Sequence, residues 1–551
     1  MKFSLRAQPL RMLMPLALAL GGCAVGPAYR PPAAPLVATF DAAQAADGQL
    51  SSFSAEPVGA QFWHEFKDPL LDELMTTALA SNHDIRIALS RLHEARSLRR
   101  SAWLDFFPTI TGAGAHTQAL TPLTKAPGLT REQRESDTYD ASFDARWEID
   151  LFGRLRRGNE AARAETAAAL AGWQFTQVTV AAEVTRNYLQ LRGLQGQLAV
   201  ATRNASNQRD TLALTDQRLE AGRGTELDSA RARAQLNSTL ANVPALQASV
   251  AQTIYQLSVL TGQVPAALKD RLLVIGELPA SPAITHIGAP AELLRRRPDI
   301  RVAERQLAAA TARIGVSVAD FFPTVSFGAR AGNSASSAQN LFSAPNDFFS
   351  FGPQLSWAFL DLAHVRARVV RARAGAERSL ASYEQTVLRA LQETESALVT
   401  FDRARRSSEY LQQAAAASES ASSLARLRFD DGVADFLVVL DAERSVLDAQ
   451  DRLVRSRTAE ATALVAVYKA LGGGWSEKPK ISARRTVASC WGQRVGRHRF
   501  AFAHEADNAR LGARSLLGCC QEIGESLAGQ SNGSGASTGG AGKVSGFTRD
   551  C

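Results

Sequence analysis

The chain has 551 residues, 45% of them hydrophobic and 21% charged, with a formal net charge of +8. That charge makes no nucleic-acid surface: Lys2, Arg6 and Arg11 supply three positive charges, the segment from Ser476 supplies the other five, and the body between them is neutral. Cys23, Cys490, Cys519, Cys520 and Cys551 also lie outside that body, so neither disulfides nor a thiolate metal site holds it together.

Residues 1–22 pair basic Lys2, Arg6 and Arg11 with an apolar run from Met12 to Leu20. That run falls well short of the roughly 20 residues a spanning helix needs, and it reads as a signal peptide. Leu20-Gly21-Gly22-Cys23 resembles the lipobox of bacterial lipoproteins. The resemblance implies cleavage before Cys23, lipid on its sulfur and amino group, and, with Ala24 next rather than Asp, outer-membrane sorting. The alternative is an ordinary signal peptide with an incidental cysteine. Residues 23–62 are predicted to be a leash, with Pro27, Pro31, Pro32 and Pro35 favouring extended chain along the surface.

The body is read as a tandem duplication. Asp105-Phe106-Phe107-Pro108-Thr109 returns as Asp320-Phe321-Phe322-Pro323-Thr324, and Asp84-Ile85-Arg86 returns as Asp299-Ile300-Arg301, both at an offset of 215. Trp147 matches Trp357 and Gly222 matches Gly432 at 210. Ordered landmarks at a near-constant offset mark a repeat. Residues 63–280 form the first copy and 281–474 the second, each reading helix, strand, strand, long helical hairpin.

In the first copy, Asp68-Pro69 caps a helix carrying Leu70, Leu74, Leu79, Ile85, Leu89 and Leu92 at helical spacing, ending near Pro108. Thr109–Thr117 is a weak strand. The next strand is the clearest local signal: Tyr139, Phe143, Trp147 and Ile149 alternate with Asp140, Asp144, Arg146 and Glu148. In a soluble sandwich the polar face meets water; in a membrane barrel it lines a wet lumen while the apolar face meets lipid. A helix then runs without proline from Gly153 to about Glu220, roughly 100 Å. Val184, Leu191, Leu198, Ala205, Leu212 and Leu219 recur every seven residues on it, a seam for a partner helix. Gly222 marks the hairpin tip, Thr225 caps the return helix, and Pro244 is expected to kink it.

The second copy repeats this order: a helix over Ala291–Asp320, a strand from Thr324, and a partner strand bearing Phe349, Phe351, Leu355, Trp357 and Phe359. Pro353 suggests a bulge or an unpaired position there. Ala363–Phe429 is the second long helix, Asp430-Asp431-Gly432 its tip, and Asp435–Leu471 the return. From residue 475 the pattern collapses into a cysteine-bearing, glycine/serine-rich tail, expected to be disordered and consistent with a translated frameshift.

Four strands cannot close a barrel, and open edges are intolerable in lipid. Lipid-facing strands therefore require oligomers, two copies giving eight strands and three giving twelve. At this point the chain resembles a family. Trp63, Phe66, Asp68-Pro69-Leu70, Asn82, Phe107-Pro108, the run Trp147–Gly153, Arg297-Pro298-Asp299 and Leu440-Asp441-Ala442 look like the outer membrane factors of the TolC/NodT type. The resemblance implies an α+β membrane protein: a homotrimer with a twelve-stranded outer-membrane β-barrel continued by a long periplasmic α-barrel. It implies an exit duct for drugs or other small molecules. The implied partners are a periplasmic adaptor (membrane fusion) protein and an inner-membrane pump, often of the resistance-nodulation-division type. The tail departs from the family, whose members end near a position like Gly472.

The resemblance also assigns sites. Leu437 and Asp441, one turn apart, fall on the family's constriction positions. Three Asp441 carboxylates would form an acidic ring. Arg428, one turn before the tip, is a further gate candidate, pairing with a neighbour's carboxylate. Gly222, Thr225, Gly432 and Val433 are the tip residues expected to meet the adaptor, although glycine there is also plain helix punctuation. An enzyme is not expected: there is no G-x-S-x-G, no Walker loop, no His pair at ligand spacing, and no metal or cofactor signature. A duct for type I protein or oligosaccharide secretion is the alternative within the class. A poreless rod-like coiled-coil lipoprotein scaffold is the alternative outside it, and it leaves the alternating strands unexplained.

Overall fold

The computed structural model describes residues 24–32, 40–41, 53–54, 59–282, 285–286 and 295–475. The signal peptide, Cys23, most of the leash and the 476–551 tail lie outside the described residues.

The first helical segment is two helices rather than one, α1 (Pro69–Ser81) and α2 (His83–Leu104). The apolar spacing runs straight through Asn82, but that residue is extended (ψ 134°) and its Oδ1 caps α2 by accepting the Asp84 and Ile85 N–H groups. Strands β1 (Thr109–Leu120) and β2 (Glu135–Ile149) follow, then α3 (Arg154–Glu220, 67 residues) and α4 (Glu226–Leu260). The helix α4 continues through Pro244. The order then recurs with α5 (Pro298–Ala319), β3 (Thr324–Ala335), β4 (Asp347–Ser356), α6 (Leu362–Asp430, 69 residues) and α7 (Phe436–Ala470). The helix predicted over Ala291–Asp320 is broken at Arg297, as its counterpart is at Asn82.

The four strands form one antiparallel sheet in the order β1-β2-β3-β4, with β1 and β4 at its edges. Pro353 pairs with Phe327 in unbroken register, so the expected bulge is absent. Its strand is an edge, where a missing donor is tolerated. β4 ends at Ser356, before Trp357 and Phe359.

The main hydrophobic core sits where Phe62, Trp63, Phe66, Leu71 and Met75 pack on the middle of α3 (Tyr188, Leu189, Leu191) and the ends of α4 and α7 (Leu257, Tyr468). The heptad seam is fully buried there, with Val184 and Leu191 at 0% exposure, and partly buried towards the tip, at Leu212 and Leu219. Close approach of α3 to α7 needs Gly193: a Cβ there would lie 2.1 Å from Thr458 Oγ1. Among the described residues no helix is long and apolar enough to cross a membrane.

Candidate functional site

Alternation along the strands sorts side chains onto two faces. One carries Ile110, Phe143, Trp147, Phe349, Phe351 and Leu355, all solvent-exposed, with Phe143 at 70% and Phe349 at 76%. The indoles at its helical end are anchored, Trp147 Nε1 donating to the Phe106 carbonyl at 2.9 Å and Trp357 Nε1 to that of Phe321 at 3.0 Å. The opposite face is polar. Asp144, Arg146 and Glu148 line a recess of about 1040 Å³ with Thr109, Arg330 and Gln354. Asp140 is placed on the same face by the alternation of β2, paired with Ala115 and Ser334. Asp144 pairs with Arg330 at 3.3 Å, and Ser142 bridges them. Glu148 holds Arg154 at the start of α3, and this hydrogen bond outweighs the opposing effect of burial to raise the guanidinium above its ordinary range.

The hairpin tips are built alike. Gly222 (φ 70°) and Gly432 (φ 75°) take left-handed backbone that a side chain disfavours. Arg223 N donates to Arg218 O, and Val433 N to Arg428 O, each at 2.8 Å. Thr225 Oγ1 caps α4 by accepting the Asp228 N–H at 3.2 Å. Val433 is exposed. The tips also touch each other: the Arg218 guanidinium lies 3.8 Å from the centroid of the Phe429 ring and 3.9 Å from the Asp430 carboxylate.

Leu437 and Asp441 lie on the first turns of α7, both exposed, Leu437 at 53%. The Arg428 side chain is exposed too. The ion pair that ties α6 to α7 near the tip is a different one, Arg426 with Glu443 at 2.6 Å. Glu443 is 5% exposed and also accepts from Thr211 of α3 at 2.8 Å, so one carboxylate joins three helices. Nearby Gln208 is buried, with neither amide atom partnered among the described residues, beside a cavity of about 470 Å³. Sequence reasoning missed this cluster because its members are joined only by the fold.

At the described end of the leash, Val25 N donates to Phe152 O at 3.2 Å, and Arg157 donates to the carbonyls of Val25 and Gly26, also at 3.2 Å. Ala24 packs so closely on Gly153 that a Cβ there would stand 2.7 Å from the Ala24 Cα. Tyr29 donates to Glu304 at 2.5 Å. Among the described residues no cluster of His, Cys, Asp or Glu could hold a metal.

Comparison with known proteins agrees with this architecture. The family model described as outer membrane efflux protein matches residues 74–263 and again 289–473. The solvent efflux pump outer membrane protein SrpC of Pseudomonas putida is 34% identical over 470 residues, covering 83% of this chain and 97% of that protein. Nodulation protein T of Rhizobium leguminosarum bv. trifolii is 30% identical, covering 84% and 97%. Among solved structures, the outer-membrane channel OprN is 40% identical with a TM-score of 0.76, covering 82% of this chain and all of that one. The open state of the Neisseria gonorrhoeae MtrE outer membrane channel is 27% identical with a TM-score of 0.70, covering 82% and 98%. The chain belongs to the outer membrane efflux protein family. Its function is that of an outer-membrane efflux component.

Proposed function

We propose that the chain is the exit duct of a tripartite efflux pump, passively conducting drugs or other small molecules to the exterior. The observation that carries this reading is the sheet: exposed aromatic and aliphatic side chains on one face, a charged recess on the other, and two open edges. Open edges in lipid demand partners, and three copies supply a closed barrel of about twelve strands. Helices of 67 and 69 residues leave the same sheet and extend the duct by about 100 Å. We read residues 63–280 and 281–474 as duplicated halves, Cys23 as the lipid-bearing residue, and the segment from 475 as a tail outside the repeat. The tips at Gly222, Thr225, Gly432 and Val433 would meet the periplasmic adaptor, and a resistance-nodulation-division pump would feed it.

Within the trimer we place the gate at Leu437 and Asp441. Arg428 stands at an offset of 210 from Arg218, and Phe429-Asp430 at the same offset from Leu219-Glu220. Arg218 grips the second tip of its own chain; in a ring of alternating tips, Arg428 would grip the first tip of the next chain at Glu220. Purified protein in planar bilayers tests the reading. Discrete channels from a heat-resistant trimer, seen on unboiled gels, that restore efflux to a strain lacking its own duct support it. A soluble, non-conducting species would leave the rod-like scaffold instead.

A further inference from the structure

A second recess, about 660 Å³, lies between α2 and α3 just beyond the sheet. Arg96, Arg99, Arg100 and Trp103 line it from α2, and Arg156, Asn159 and Arg163 from α3. Of its arginines only Arg156 has a carboxylate partner among the described residues, Asp150 at 3.1 Å; the lining Glu160 is taken by Arg157 at 2.8 Å. Arg96, Arg99, Arg100 and Arg163 thus line one recess with no carboxylate at ion-pair distance among the described residues, an arrangement that a bound anion would relieve.

Its position narrows the anion. Trp103 packs on Phe107 at 4.8 Å, and Arg96 is eight helical residues before Leu104, so the cluster lies within about 12 Å of the end of α2 that leads into the sheet. That is the depth of headgroups and interfacial tryptophans. The recess also faces outward. Arg154 turns to Glu148 in the polar recess, and Arg156 projects about 200° around α3 from it. Nor is the cluster a generic feature of the fold: the positions matching Arg96, Arg99, Arg100 and Trp103 in the second half are Thr311, Ile314, Gly315 and Val318.

We propose that this recess binds the phosphate of an anionic phospholipid headgroup in the periplasmic leaflet, one lipid per protomer. Guanidinium groups engage phosphate through paired N–H donors, and basic pockets at the membrane surface select acidic lipids in this way. The proposal rests on the outer-membrane reading of the strands.

The test uses the full chain in nanodiscs made of equal amounts of phosphatidylglycerol and phosphatidylethanolamine, with retained lipid identified by native mass spectrometry. Wild type should retain phosphatidylglycerol preferentially. The variant R96Q/R99Q/R100Q should lose that preference roughly a hundredfold, since each surface arginine is worth about fivefold. A charge-matched control, R209Q/R231Q/R389Q, should keep it. Equal retention in all three proteins would overturn the proposal. So would displacement of the lipid by inorganic phosphate at equal concentration, which would make the ligand a free phosphate. Failure of wild type to insert into the nanodisc would overturn the membrane reading and this proposal with it.

Discussion

Arg297 donates from Nη1 to the carbonyl of Ala470 at 2.9 Å, tying the break before α5 to the last turn of α7. Asn82 does the same in the first half, its Nδ2 donating to the Leu260 carbonyl of α4 at 2.9 Å. Both broken helices therefore close the far end of their own hairpin, satisfying a carbonyl the helix leaves unpaired. Arg297 is the costlier of the two to lose. It is 6% exposed and also pairs with Asp299 at 2.6 Å and Glu393 at 2.8 Å. Burial opposes its charge, but those carboxylates outweigh it and raise the guanidinium above its ordinary range. Arg297→Ala should destabilise the fold by about 3 kcal/mol, and Asn82→Ala by about 1. Urea unfolding followed by far-UV circular dichroism would check the order; a larger loss from Asn82→Ala would contradict it.

Arg426 and Glu443 make a second test. Removing the arginine strands a carboxylate that is almost fully enclosed, whereas Glu443→Gln keeps a hydrogen-bonding group in place. Arg426→Ala should therefore cost about 2 kcal/mol, discounted for the arginine's partial exposure, and Glu443→Gln less. Limited proteolysis at the α6–α7 tip should show faster cutting in Arg426→Ala. Equal protease resistance in wild type and variant would mean that the pair does not fasten the tip.

The long helices, the strands and the tips were legible because their signals are local: sevenfold apolar spacing, alternation, and a glycine with positive φ. The breaks at Asn82 and Arg297 were not, since Leu79 and Ile85 keep helical spacing across the first. A capping asparagine looks the same in sequence as a solvated one. The neighbouring pairs were hidden for another reason. Glu443 finds Thr211 across 232 residues, and no periodicity encodes that meeting. Asp441 and Glu443 are two acids two residues apart, yet one is exposed and the other enclosed by packing alone.

Two tyrosines predict an alkaline limit. Burial first, and then hydrogen bonds to Asp68 and Glu65, raise the phenols of Tyr188 and Tyr468 well above their ordinary range. A raised folded value means that the neutral form stabilises the fold. That contribution is complete below about pH 10, the unfolded value, and falls as pH rises beyond it. Wild type should lose stability steadily above pH 10, and Tyr188→Phe/Tyr468→Phe should lose less per pH unit. Parallel profiles would remove the tyrosines as the cause.

The leash makes a prediction about anchoring. Ala24 lies against Gly153, where β2 gives way to α3. Cys23→Ser should abolish incorporation of labelled palmitate while assembly and efflux persist, because the proposed barrel would itself hold the protein in lipid. Palmitate labelling of the variant would rule out Cys23 as the acceptor.

The gate prediction follows from where α7 begins. Leu437 and Asp441 project from one face, one turn apart, and neither is engaged by another part of its own chain through any side-chain bond identified among the described residues. A threefold axis would repeat them as a ring of bulk and a ring of charge, and a closed duct needs little more. Leu437→Ala should mainly raise resting conductance by widening the aperture. Asp441→Ala should instead lower cation preference, because like-charged carboxylates around a pore favour counter-ions. That preference should fade as ionic strength rises, exposed charges being screened over about 8 Å at physiological salt. The double variant should admit large antibiotics such as vancomycin without loss of trimer. Wild-type conductance and selectivity in both single variants would move the gate toward Arg428. Arg428→Glu is then expected to open the duct by repelling Glu220 of the neighbouring chain, and the charge-swapped pair with Glu220→Arg to close it again.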